Sequence, residues 1–443
     1  MAITGWFVLL LGVGVIPIVV GTGLGGEPGL IALGWIALVV ILLALDLALA
    51  ASPRALRLER AGDRRARLGE PASVLLYLTN SSARTLSGIV RDAWEPSAGA
   101  QASRVRVRIP GRERRLIRTI LVPSRRGERR SASVTVRSFG PLRLGARQAT
   151  LNAPGTLRVL PPFRSRRHLP SRLARLRELD GATSLMVRGQ GTEFDSLRDY
   201  VRGDDVRSID WRASARRMGG QPAGGEHLVV RTWRPERDRR VIIVVDTGRA
   251  GAARIADEPR LDTAFEASLL LAALATRAGD RVDLLAFDRR VRGRVTGSTG
   301  AALLENMVNT MADIEPELIE TDWSAIPSEV RQITSQRSLV VILTAAESPG
   351  SAGDMIASLP ELTARHLVVV TSVRDPEALD ARTIVDSRAD VYEAAAAERS
   401  LLDAERVAQA LRRVGADPIS GAPEALPPLL ADHYLALKAA GRL

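Results

Sequence analysis

Val241-Ile242-Ile243-Val244-Val245-Asp246 is the stretch on which the fold turns. Its β-branched residues run without a polar break, so a strand here is apolar on both faces and needs cover on both. Leu339-Val340-Val341-Ile342-Leu343-Thr344 and Leu367-Val368-Val369-Val370-Thr371 repeat the pattern, and 282–287 reads as a further strand. Between them lie helical spacings. Leu261, Phe265, Leu269 and Ala272 line one face of a helix over 262–278, and 300–311 is a second. Helices over 400–414 and 424–440 close the chain. Doubly buried strands alternating with amphipathic helices predict a doubly wound α/β domain over 241–443.

In such sheets ligands bind beyond the carboxyl ends of the strands. Asp246 stands there, and Thr321 and Asp322 fall in a later loop leading into a helix. A carboxylate with hydroxyls is the donor set of a hard cation such as Mg²⁺ that keeps some of its waters. The alternative is that Asp246 caps a turn or the next helix. Other chemistry is scarce. Cysteine is absent, which removes disulfides and thiolate sites. The histidines are His168, His227, His366 and His433, and none accompanies a nucleophile motif. No P-loop occurs, and Gly189-x-Gly191 lacks the preceding strand and third glycine of a dinucleotide site.

Residues 163–240 read as a charged connecting segment. Within it, Glu193, Phe194, Arg198, Tyr200, Gly203, Asp204, Asp205, Arg207, Asp210, Trp211 and Arg216 form the densest run of charge and aromatic residues. Carboxylates and guanidiniums alternate there and can pair bidentately, with Tyr200 and Trp211 packed beneath. Paired acids can also do acid–base chemistry, which leaves a hydrolase as an alternative. A fixed lattice that docks one domain on another needs no substrate and is the expected role.

Upstream, 52–162 carries short alternating strands with turn signals between them, such as Arg104-Val105-Arg106-Val107-Arg108-Ile109 before Pro110-Gly111. That pattern predicts an all-β, sandwich-like domain. The first 51 residues hold two apolar stretches, about 6–24 and 30–50, each long enough for a transmembrane helix. Arginine is absent before Arg54 and then dense at Arg57, Arg60, Arg64, Arg65 and Arg67. The positive-inside rule therefore predicts a multi-pass plasma-membrane protein with its N-terminus and C-terminal body both cytoplasmic. A cleaved signal peptide would need a basic n-region, and residues before the first apolar stretch carry no charge. The net charge of +12 is spread among acids rather than gathered in a stripe with aromatics. No nucleic-acid partner is expected from it. No small-molecule substrate is recognisable either.

The run Glu193, Phe194, Leu197, Arg198, Tyr200, Gly203, Asp204, Asp205, Arg207, Ile209, Asp210, Trp211, Ala215, Arg216 strongly resembles the signature of the domain-of-unknown-function 58 family. The resemblance extends along the chain, through the apolar helices, the Arg125-Arg126-Gly127 turn and the lead into Val241. It implies a von Willebrand factor A-like fold for 241–443 and no established enzyme activity. It further implies partnership with a MoxR-type AAA+ ATPase, in an adaptor or chaperone-like role. The metal motif of A domains, Asp-x-Ser-x-Ser, stands here as Asp246-Thr247-Gly248-Arg249-Ala250, without either serine. The site is then degenerate: no cofactor is expected, and partner binding is metal-independent. Arg249 is placed to put its cation where the metal would sit. A metal-dependent, ligand-binding A domain is the remaining alternative.

Overall fold

The computed structural model describes residues 2–186, 193–201, 206–218, 228–234, 239–255, 258–383 and 386–443. The chain divides into two compact units, Met1–Pro162 and Phe163–Leu443.

In the first unit, apolar helices Gly5–Val13 and Val15–Gly23 join at Gly14 into a nearly continuous rod. Helix Pro28–Leu49 follows. Gly14 receives the Trp35 side chain, and the Trp35 indole donates to Leu10 O at 3.2 Å, so the two rods are packed as a hairpin. Both are long and apolar enough to cross a membrane. Beyond them lie two facing sheets. One orders Leu56–Gly62, Ala72–Asn80 and Arg114–Leu121. The other runs Gly145–Leu160, Gly127–Phe139, Leu86–Trp94 and Arg104–Ile109. Alternate residues point inward, as the period of a strand dictates, and Leu76, Leu78, Leu86, Val90, Ile109, Val134 and Val136 share one core. Two-residue strand Ala2–Ile3 pairs with Gly145 and Ala146, which ties the start of the chain to the larger sheet.

The second unit is built on one six-stranded sheet. Its spatial order is Val291–Val295, Arg281–Phe287, Arg240–Asp246, Leu339–Thr344, Leu367–Val373, Ala416–Gly421. All neighbours are parallel except Val291–Val295, which returns antiparallel on the edge. Residues 241–246 are all buried, as an apolar central strand requires. Ile242 and Val244 face helices Ile326–Ile333, Pro349–Thr363 and Arg388–Arg413. Helices Arg260–Arg277 and Leu426–Ala439 cover the other face. The expected α/β architecture is present.

Three features depart from the sequence reading. Edge strands Val291–Val295 and Ala416–Gly421 were not expected, since arginine, proline and glycine interrupt their apolar pattern. Edges tolerate such residues because one side of the ladder is left open. Helix Arg388–Arg413 begins twelve positions before 400, at a capping box of Ser387 with Asp390. Its early turns are carried by alanines, good helix formers that give little periodic signal. Finally, 163–240 does more than connect. Helix Leu169–Met186 buries Leu176 and lies against helices Arg260–Arg277 and Leu426–Ala439, with Arg172 paired to Asp432 at 2.6 Å.

Candidate functional site

Asp246 ends the central strand and is buried. The loop after helix Gly300–Ala312 folds over it, held by backbone bonds from Glu317 N to Thr247 O (2.8 Å), Arg249 N to Ile319 O (2.8 Å) and Asp322 N to Asp288 O (2.9 Å). That loop delivers Thr321, whose hydroxyl donates to Asp246 Oδ1 at 2.5 Å. Gly248 N donates to the same oxygen at 2.8 Å, and the Thr344 hydroxyl donates to Oδ2 at 2.6 Å. The carboxylate thus faces three donors.

Thr321 and Asp246 are together, as expected, but Asp322 is not with them. Its carboxylate accepts from Ser324 N (3.1 Å) and the Ser324 hydroxyl (2.6 Å), capping the short turn Trp323–Ala325. Arg249 also departs from expectation. It pairs with Glu320 at 2.9 Å on the surface. Two participants carried no sequence motif. Thr344 ends the neighbouring strand. Asp288 follows strand Arg281–Phe287 and is fully buried, accepting from Arg289 N at 2.6 Å, Arg290 N at 3.1 Å and the Thr247 hydroxyl at 3.1 Å. A carboxylate directly after a buried strand is the one signal that could have found Asp288.

Gly248 and Ala250 supply no side-chain oxygen where the A-domain motif has serines. A Cβ at Gly248 would fall on the Thr321 hydroxyl and stand 2.8 Å from Ile319 O. The space a serine would use is taken. Among the described residues no group of three or more His, Asp or Glu side chains gathers around a common point.

Burial pushes the Asp246 carboxyl above its ordinary range, and the nearby Asp288 charge adds to this. The donors from Thr321, Thr344 and Gly248 oppose the shift without cancelling it. A carboxyl whose folded pKa exceeds its unfolded value of about 3.9 stabilises the fold below that value, and the contribution is lost as pH rises through the folded value. Asp246→Asn is therefore expected to flatten the decline of thermal stability from acidic to neutral pH. An unchanged slope in thermal unfolding of the two proteins would refute the assignment.

The signature residues occupy a separate layer. Strand Glu193–Asp199 pairs antiparallel with Val229–Arg234, and helix Trp211–Met218 follows Asp210. Asp210 Oδ1 accepts from Arg212 N and Ala213 N at 3.0 Å each, an N-cap, and its Oδ2 accepts from Arg231 Nε at 2.8 Å. The Ala213 N–H foremost, then Arg231, holds this carboxyl below its usual range. Ser214 ties the layer together, donating to Asp210 O (2.8 Å) and accepting from Val229 N (2.9 Å). Arg231, outside the expected set, is thus the partner of Asp210. Trp211 does not pack beneath the charges; it is 63% exposed. Arg198 and Arg207 are also exposed, and Tyr200 is half-buried. Gly203, Asp204 and Asp205 lie outside the described residues, as do the side chains of Glu193, Phe194 and Arg216.

Among known proteins, the chain is 26% identical over 203 residues to Uncharacterized protein Rv1480 of Mycobacterium tuberculosis (strain ATCC 25618 / H37Rv), which is 45% of this chain and 61% of that relative. Uncharacterized protein Mb1516 of Mycobacterium bovis matches to the same extent. The chain therefore spans about three fifths of the length of these relatives. Among solved structures, proximal thread matrix protein 1 from the mussel byssus is 11% identical, with 46% of each chain covered and a TM-score of 0.27. The CARDB domain of the PF1109 protein from Pyrococcus furiosus is 16% identical, covering 24% of this chain and 91% of that one, with a TM-score of 0.19. TM-scores this low bear on neither fold nor function. The family expected from the signature is matched: residues 196–412, from the signature through most of the α/β sheet, correspond to the family described as "Protein of unknown function DUF58".

Proposed function

We propose that this protein is a non-catalytic, membrane-anchored adaptor whose A-type α/β domain docks onto an AAA+ ATPase of the MoxR type. The observation that carries the reading is the closed strand-end site. Asp246 is satisfied internally by Thr321, Thr344 and Gly248, so the face where α/β folds hold ligands is occupied by the protein's own groups. The sheet order, with its single antiparallel edge strand, supports the A-type assignment. Asp210 serves as a helix cap and partner of Arg231, which supports a docking role for the signature over acid–base chemistry. Thr321 lines an open cleft in which Glu320 and Glu361 are paired with Arg249 and Arg331, so a basic partner segment would meet Asp322 and Asp354 there.

The two apolar helices act as the anchor. The arginines after Ala50 support a body on the cytoplasmic face of the plasma membrane. Strand Ala2–Ile3 and the end of helix Pro28–Leu49 meet the same sheet, which fits a hairpin with both ends on one side.

The test is affinity purification of the tagged full-length protein from membranes of its own cell. An AAA+ ATPase is expected in the eluate, at a yield reduced by Asp322→Arg with Asp354→Arg. Its absence would sink the adaptor reading. A metal-dependent A domain is the second reading, favoured by the retained Asp246 and Thr321. Mg²⁺ or Mn²⁺ calorimetry separates the two: heat that disappears in Asp246→Ala would support the metal.

A further inference from the structure

The turn that joins strands Gly127–Phe139 and Gly145–Leu160 is clamped to the mouth of the apolar hairpin. Asp46, in the last turns of helix Pro28–Leu49, is fully buried. Its carboxylate accepts from three backbone amides of the turn: Leu142 N at 2.7 Å, Leu144 N at 2.9 Å and Gly145 N at 3.0 Å. The approach is backbone-close. A Cβ on Gly140 would fall on the Asp46 carboxylate, and Gly145 abuts Leu43 and Leu47. The start of the first helix grips the same turn, with the Thr4 hydroxyl donating to Arg143 O at 2.6 Å and Leu144 O at 3.0 Å.

This clamp leaves a particular surface at the level where both helices end. Leu142 is 52% exposed at the turn, beside exposed Ile3 and Trp6. Arg143 adopts φ 58°, a left-handed backbone that disfavours a non-glycine residue and that the bonds from Asp46 and Thr4 hold in place. Arg143 is exposed, and Arg84 and Arg147 flank it, donating to Ala48 O (2.9 Å) and Ala50 O (3.4 Å) at the end of the helix. An apolar tip ringed by guanidiniums, at the end of a bilayer-length hairpin, matches the boundary between acyl chains and anionic headgroups.

We propose that the turn 140–144 is a membrane-contact element: Leu142 sits in the headgroup–acyl boundary, and Arg84, Arg143 and Arg147 engage the phosphates of anionic phospholipids. The inference rests on the apolar helices spanning the bilayer. It adds that the β domain is seated on the lipid surface and does not swing on a tether.

The absence of native cysteine allows single labelling sites in the full-length protein. Leu142→Cys, Leu38→Cys and Ser124→Cys would each carry a bimane fluorophore after reconstitution into vesicles containing brominated phosphatidylcholine or brominated phosphatidylglycerol. Leu38 lies mid-helix. Ser124 lies beyond the far end of strand Gly127–Phe139, whose 13 residues span roughly 40 Å. The expected result is quenching at Leu38 and Leu142 but not at Ser124. At Leu142 the anionic lipid should quench about threefold more than the zwitterionic one, with the ratio near unity after Arg143→Gln with Arg147→Gln. Quenching at Leu38 without quenching at Leu142 overturns the turn contact and leaves the spanning helices standing. Equal quenching of Leu142 by both lipids overturns the arginine–phosphate contact. Absence of quenching at all three sites overturns the membrane reading itself.

Discussion

Lys438→Met is expected to destabilise the α/β unit by about 3–5 kcal/mol, the cost of stranding one member of a buried ion pair. Lys438 is the only lysine of the chain. Its Nζ donates to Asp280 Oδ1 at 3.0 Å and to Ala278 O at 3.1 Å, while the Tyr434 hydroxyl donates to Asp280 Oδ2. The Asp280 side chain is 2% exposed and that of Lys438 10%. Tyr434 and Lys438 are one helical turn apart on Leu426–Ala439, and Asp280 directly precedes strand Arg281–Phe287, so the group pins the last helix to the root of the sheet. Removing the ammonium leaves a carboxylate with water excluded and one phenol for company. Hydrogen exchange of the 281–287 amides in the full-length protein reads the loss without assuming that both units unfold together. A shift below about 1 kcal/mol would mean that water reaches Asp280 and the pair is a surface contact. Adding Asp280→Leu to Lys438→Met should recover most of the loss, because an apolar pair has no charge to strand.

Asp46→Ala is expected to unlock the β domain from the helix hairpin. Three amides lose one shared acceptor, and each donor left unpaired in a buried site costs roughly 1–3 kcal/mol, so the total is on the order of 5 kcal/mol. The effect is local. Exchange of the Leu142, Leu144 and Gly145 amides in bilayer discs should accelerate about a thousandfold, while amides of strand Ala72–Asn80, in the opposite sheet, stay protected. Asp46→Asn keeps one acceptor oxygen and should fall between the two. Unchanged exchange at the three amides in Asp46→Ala would show that strand Ala2–Ile3 alone holds the turn. Asp46 is the one charged residue in the apolar stretch 30–50. In the fold it is fully buried and serves as the acceptor of a neighbouring domain's backbone.

The α/β sheet was legible because buried parallel strands write themselves as unbroken apolar runs, and 241–245, 339–343 and 367–370 do so. The sandwich-like strands were legible by alternation, most plainly in Ala72–Asn80, where every second residue is buried. Edge strands Val291–Val295 and Ala416–Gly421 were not, since their residues answer to a neighbouring strand on one side only. At the candidate site the sequence pointed to Asp246 and Thr321 but misplaced Asp322, whose local bond to Ser324 competes with any distant role.

What the residues decide alone are properties of local period and composition: two bilayer-length apolar stretches, an alternating β region, a signature, a sheet of doubly buried strands, and no thiol chemistry. What the tertiary structure decides is which polar groups meet. Asp46 reaches amides 96 to 99 residues away, Asp246 collects hydroxyls from 75 and 98 residues away, and Asp280 finds its lysine 158 residues on. Hydrophobic periodicity repeats within a few residues and survives in any window of sequence. A polar partnership at these separations leaves no such trace, because it depends on loops and crossovers that bring two otherwise ordinary side chains to one point.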